Sequence, residues 1–305
     1  MISPDMRNSD RRCAAPEGGA IDTSARTPLV SVILPTFNRL PMLREAIASV
    51  LDQTFGDLEV IVVDDGSTDG TAAAVRAMTD ARVRLVELSH GGNVARSYNA
   101  GLASSSARWL CFLNDDDVWL PTKLERQLRE TESAGARWSY TRYELMDAEG
   151  RPAPWRAGGS AAISGWIARR LLTDELGVTF CAVMMERSLL DEVGGYRERF
   201  PFRQDFDLAV RIALHAPVHA VDESLVRARE HSGRRTTLTP PVEVQLHNAA
   251  VFRALAAELD DATLRRIARR KESGLLAAAG KGLLRRGELW RAAVCFGRAV
   301  GALAR

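Results

Sequence analysis

Four short strand-like runs, three of them almost wholly apolar, constrain this chain most, because each ends abruptly at a polar turn and each is followed by a helical pattern. They span 29–34 (LVSVIL), 58–63 (LEVIVV), 83–88 and 109–113 (WLCFL). Behind the first, Pro41 suits a helix start, and Leu43, Ala46, Ile47, Val50 and Leu51 follow at helical spacing. Residues 71–78 read as a helix, and a small-residue helix over 93–104 follows the Gly91-Gly92 break. After the fourth run, Leu120, Leu124 and Leu128 mark one face of another helix. Strands this apolar are buried on both faces. Their alternation with helices predicts an α/β fold with a mostly parallel sheet flanked by helices. Such sheets bind ligands beyond the carboxyl ends of their strands, and there stand 36–39, 64–69 and 114–117.

The second half is less regular. A strand is expected over 137–146, a helix over 163–172, a strand over 178–185, a helix over 205–215 and a last strand over 218–226. From Pro240 onward Ala, Leu and Arg dominate with helical periodicity, so 240–305 is read as a helical C-terminal region. Its Arg-rich amphipathic tail is expected to dock on the catalytic domain, a partner or a membrane surface. Residues 1–27 are polar and lack periodicity, as a disordered leader does.

Composition removes several alternatives. Lys and Arg total 41 against 39 Asp and Glu, a net charge of +2, so nothing points to nucleic acid. No apolar run approaches the ~20 residues of a membrane span. The four cysteines form no CxxC pair, and Cys111 and Cys181 lie in apolar runs. A reducing cytoplasm is therefore expected, with any membrane contact peripheral and at the inner face. A Walker-type GxxxxGK[ST], a GxSxG elbow and GxGxxG are all absent.

Asn114-Asp115-Asp116-Asp117 is the sharpest chemical feature. Adjacent carboxylates at a strand end repel, and Mg²⁺ or Mn²⁺ relieves the repulsion through hard oxygen ligands. The same residues also suit a solvated acidic turn. Asp64 and Asp65 are placed to accept hydrogen bonds from a base or ribose, or to form an Asx turn capped at Ser67, Thr68 or Asp69. Arg96 lies within reach of a diphosphate, or on the surface. Asp205 is a candidate general base at a helix start, and Asp207 a helix-start charge. His231, between Arg227, Arg229, Arg234 and Arg235, is a candidate metal or phosphate ligand in a basic loop.

Taken in order, these motifs resemble glycosyltransferase family 2, whose fold is GT-A. VSVILPTFNR is similar to the family's first strand and nucleotide-contacting turn, and VIVVDDGSTDGT to its second strand and acidic loop. GGNVARSYNAGL is similar to its arginine-bearing helix, and LCFLNDDDVWLPTKL to its metal motif. GGYRERFPFRQDFDLAVRIA resembles its catalytic acidic helix. The resemblance covers about residues 29–235. It implies a GT-A domain over 28–239, with a nucleotide-binding half at 28–135 and an acceptor half at 136–239.

It also implies an inverting transfer from a nucleotide-diphosphate sugar to a hydroxyl of a saccharide or lipid-linked acceptor, dependent on Mn²⁺ or Mg²⁺. Thr36, Phe37 and Asn38 would contact the nucleoside, Asp64 or Asp65 the base, and Arg96 the base or phosphates. Asp115 would meet ribose or metal, Asp116 would be the principal metal ligand, and Asp205 the base. Two amides depart from the pattern: Asn114 opens the DxD and Gln204 precedes Asp205. A sugar nucleotidyltransferase would want glycines after the first strand, where 35–39 has none. A catalytically impaired nucleotide-sugar binder would keep the fold and lose the acids.

Overall fold

The computed structural model describes residues 27–153, 162–231 and 240–304. Most of the expected leader, with Arg234 and Arg235, lies outside them. The first half runs β1 (Val30–Thr36), α1 (Leu40–Leu51), β2 (Leu58–Asp64), α2 (Thr71–Arg76), β3 (Val83–Glu87), α3 (Val94–Ala103) and β4 (Trp109–Phe112). Then come β5 (Val118–Trp119), α4 (Lys123–Ser133), β6 (Trp138–Met146), α5 (Ala168–Leu172), β7 (Val183–Glu186) and α6 (Arg187–Val193). α7 (Gln204–His215), β8 (His219–Arg229), α8 (Pro241–Glu258), α9 (Ala262–Arg285) and α10 (Leu289–Ala304) complete the described chain.

The strands form one sheet in the order β3-β2-β1-β4-β7-β6-β8-β5. The first four are mutually parallel. β7 then runs antiparallel to both β4 and β6, and β5 antiparallel to β8. The sheet is therefore mixed beyond its parallel half. Residues of β1 alternate between two cores, as period-2 geometry requires. Ile33 packs with α3 and α7 on one face; Val32 and Leu34 pack with α1 and α4 on the other. A Cβ at Gly101 of α3 would overlap Ile33 Cγ2 and stand 3.0 Å from Val63 Cγ2, so α3 rests directly on β1 and β2.

Two expected elements are shorter than their patterns. The helix expected over 163–172 forms only at Ala168–Leu172, and the strand expected over 178–185 opens with a 3₁₀ turn at Phe180–Ala182. In both places apolar residues turn into the main core from irregular backbone, so burial and periodicity part company. The C-terminal region is no loose appendage. Val251, Phe252, Leu255 and Ala268 belong to the main core.

Candidate active site

A cleft of about 1020 Å³ opens where β1 and β4 end. The first half lines it with Thr36, Phe37, Arg39, Asp65, His90 and Asn114–Asp116; the second half contributes Asp174, Phe202, Arg203 and Asp205.

The acids after β4 are buried and tightly partnered. Thr36 Oγ1 donates to Asp115 Oδ2 at 2.9 Å. Arg39 Nη1 donates to Asp115 Oδ1 at 3.1 Å and to Asp116 Oδ2 at 3.0 Å, bridging the two carboxylates. Pairing of β5 with β8 brings the end of β8 alongside. As a result the Arg229 N–H donates to Asp117 Oδ1 at 2.9 Å, and His231 Nε2 lies 3.0 Å from Asp116 Oδ2. The Asn114 amide donates to Asp117 Oδ2 at 2.8 Å while accepting from the Tyr98 hydroxyl at 3.0 Å. An aspartate at 114 would set a like charge against Asp117; the amide instead donates to it.

Burial pushes Asp115 up to about 6 against the pull of Arg39, and the charge of Asp116 adds to the rise. Burial and Asp116 likewise push Asp117 to about 6, opposed by the Arg229 N–H and Asn114. Among the described residues, no group of three or more His, Cys, Asp or Glu is arranged to hold a metal ion.

Beside this cluster the cleft wall is aromatic. The Phe37 and His90 rings stack with centroids 3.9 Å apart. Asp65 accepts from the backbone N–H of Gly91 at 3.0 Å and of Gly92 at 2.9 Å, and His90 Nδ1 stands 3.0 Å from its carboxylate. Asp64 instead accepts from Ser67 N at 3.0 Å and forms the turn. Asn38, in the left-handed region at φ 51°, accepts from Thr68 N at 2.7 Å. Asp69 takes the N–H groups of Leu40 and Thr71, tying α1 to α2. Arg96 lies outside the cleft wall: its guanidinium donates to the Ser89 carbonyl at 3.0 Å, 4.0 Å from Asp65.

Asp205 sits in the first turn of α7. Its Oδ1 is buried without a hydrogen-bond partner, and burial raises its pKa to about 6. The Tyr196 hydroxyl pulls the other way. Tyr196 stacks on Tyr98 with centroids 4.7 Å apart, so aromatic packing joins Asp205 to Asn114. Arg203, just before α7, is held at φ 56° with its guanidinium 4.1 Å over Phe206. A non-glycine residue there is strained. Asp174, at φ 60°, accepts from Arg203 at 3.3 Å and from Lys271 of α9 at 2.5 Å. Asp207 faces away into a buried cluster, 3.2 Å from Arg197 and 2.9 Å from Arg211.

Replacing Tyr196 with Phe removes the group that opposes burial at Asp205. The Asp205 carboxyl should then ionise at higher pH, by a margin readable in carboxyl NMR titration. An unmoved titration would separate the two residues.

Sequence reasoning left Arg39, Asp174, Tyr98, Tyr196 and Arg203 without roles. Arg39 closes the polar turn after β1, and Tyr196 and Arg203 stand nine and two residues before Asp205 in the GGYRERFPFRQDF segment, so these three carried a local signal. Tyr98 and Asp174 meet the site across longer separations.

The topology is that of GT-A glycosyltransferases. The chain superimposes on Staphylococcus aureus TarS 1–349, solved with UDP-GlcNAc, with a TM-score of 0.71 at 17% identity, covering 90% of this chain and 81% of that one. The mannosyltransferase PcManGT from Pyrobaculum calidifontis, solved with GDP-Man and Mn²⁺, gives a TM-score of 0.60 at 21% identity, covering 91% and 76%. The family profile described as Glycosyl transferase family 2 matches residues 31–194, and the chain belongs to that family. An uncharacterized glycosyltransferase of Rickettsia felis is 30% identical over 209 residues, 67% of this chain but 35% of the relative. The chain thus spans about a third of the length of that relative. The Escherichia coli enzyme WfgD, a UDP-Glc:α-D-GlcNAc-diphosphoundecaprenol β-1,3-glucosyltransferase, is 28% identical over 201 residues, 64% of this chain and 73% of that protein.

Proposed function

We propose that the cleft transfers a sugar, with inversion, from a nucleoside-diphosphate sugar to a hydroxyl of a saccharide or lipid-linked acceptor. One observation carries this reading. A paired carboxylate site at the end of β4 and a buried carboxylate on α7, one of whose oxygens has no hydrogen-bond partner, line the same cleft. The first, with a cation held on it, would suit an anionic leaving group; the second suits proton abstraction. Donors in TarS and PcManGT, and a lipid-linked acceptor in WfgD, support the substrate classes. The divisions at 28–135, 136–239 and 240–305 belong to this same reading.

The acid pair suits a divalent cation. Asp115 and Asp116 present oxygens of the hard type that Mn²⁺ and Mg²⁺ favour, and the Arg39 guanidinium already bridges both as a cation does. Asp115 and Asp116 would hold the ion, with His231 beside them. A bound Mn²⁺ or Mg²⁺ supplies Lewis-acid charge to the diphosphate as it leaves. Arg39 is then the side-chain cation beside the acid pair and the candidate for a phosphate contact, a role the sequence reading gave to Arg96. Phe37 and His90 offer an aromatic surface for the base, and Asp65 borders it. Asp205 takes the acceptor proton as its oxygen attacks.

A panel of nucleotide-sugars tests the assignment. With Mn²⁺ present, the correct donor at about a hundred times its Kd should raise the melting temperature by roughly 5–10 °C. No shift with any donor would remove nucleotide-sugar binding from the account.

A further inference from the structure

Helix α10 is seated by its small residues and Phe296, and turns its other large apolar residues outward. Ala292, Cys295, Ala299 and Ala302 are buried. Phe296 rests on α9 at Gly280, where a Cβ would stand 2.9 Å from its ring. Leu289, Trp290, Val294, Val300 and Leu303 are all exposed, Trp290 at 80% and Val300 at 69%. Single exposed apolar residues are ordinary, whereas a group of five on one sixteen-residue helix marks an interaction surface.

At 3.6 residues per turn, Trp290, Val294, Gly297, Val300, Gly301 and Ala304 share roughly one third of the circumference. No charge falls within that arc; Arg291 and Arg298 stand together at its edge. The ground around the helix is cationic. Residues 262–304 hold ten Lys and Arg against two Glu, net +8, while the whole chain is +2, so the remainder carries −6. Lys281, Arg285 and Arg286, at the end of α9, are exposed beside the turn into α10.

We infer that α10 is a docking helix for an anionic membrane surface. It lies along the headgroup region with its apolar arc toward the acyl chains and Arg285 and Arg298 against lipid phosphates, joined by Arg286 and Arg291, which also pair with Glu243 and Glu288. Charge selects this occupant: a second copy would set one strongly cationic region against another. Length sets the orientation, since sixteen residues fall short of the ~20 that cross the hydrocarbon. The inference does not depend on sugar transfer. It does give α9 two duties, because the helix that seats α10 also holds the cleft residue Asp174 through Lys271.

Co-sedimentation of the full chain with vesicles tests it. The chain should bind phosphatidylcholine vesicles doped with phosphatidylglycerol, ignore pure phosphatidylcholine, and release as salt rises. Replacing Arg291 and Arg298 together with Gln should weaken binding roughly thirtyfold. The pair Val294→Glu and Val300→Glu should abolish it while melting temperature and nucleotide binding stay unchanged. The inference is overturned if the wild-type chain ignores anionic vesicles, or binds both vesicle types equally. It is also overturned if the glutamate pair sediments like wild type. A wild-type dimer that the glutamate pair converts to monomer would name a second copy as the occupant instead. Nucleotide binding, measured alongside, reports separately on the cleft.

Discussion

Asp205→Asn should lower sugar transfer by about 10²–10⁴-fold, the usual cost of losing a general base, and leave donor binding intact. A hydroxyl is a weak nucleophile at neutral pH, so its proton must leave as the new bond forms. Asp205 is suited to take it because burial lifts its pKa to about 6. The carboxylate is then ionised at pH 7 yet more basic than an exposed aspartate. Transfer should therefore rise with pH through about 6 and level off above it.

The same shift works against stability. A carboxyl whose pKa rises from the usual 3.8 to about 6 on folding binds more protons native than unfolded between those values. Stability is consequently lost as pH climbs through that window and is not recovered above it. Asp205→Asn removes this ionisation, so the variant should be more stable at pH 7 by ~1–3 kcal/mol. Loss of transfer together with a higher melting temperature is a signature that damage to the fold does not produce. Retained transfer would remove Asp205 as the base. Asp207 does not replace it, because both its oxygens are committed to Arg197 and Arg211.

Asp116→Ala should abolish metal-dependent nucleotide binding, weakening it by more than roughly 100-fold, since even the groups that support a ligand cost 10–100-fold when lost. The fold should survive. The charge of Asp116 raises the pKa of both Asp115 and Asp117, so removing it relieves two buried carboxyls at once. Arg39 keeps Asp115 as a partner. Isothermal calorimetry with UDP or GDP, with and without Mn²⁺, reads the effect directly. Wild-type affinity in the presence of Mn²⁺ would move the ion away from Asp116.

Local pattern carried the parallel half of this fold. The apolar runs at β1, β2 and β4 stop where polar turns begin, and all three rim motifs border the cleft or brace its turns. Pattern failed where pairing is distant. β5 is two residues long and exists because β8 returns beside it from more than a hundred residues later. β7 inserts antiparallel between β4 and β6, and four residues carry no directional signal. The same limit applied to the site. Asp115 and Asp116 stood out as acids, but their bridge to Arg39 spans 76 and 77 residues. Arg96 sat at the expected place in its motif and turned to a carbonyl instead. Asp205 was legible from its motif, whereas its contact with Tyr196, which tunes it, was visible only once α7 and the preceding loop were packed.

The most direct measurement is release of nucleoside diphosphate from a panel of labelled nucleotide-sugars, by the wild-type chain and by Asp205→Asn. Release from at least one donor should require Mn²⁺ or Mg²⁺, stop on chelation, and fall by about 10²-fold or more in the variant. Release that persists in chelator, or that the variant catalyses as fast as wild type, would contradict the proposed transfer.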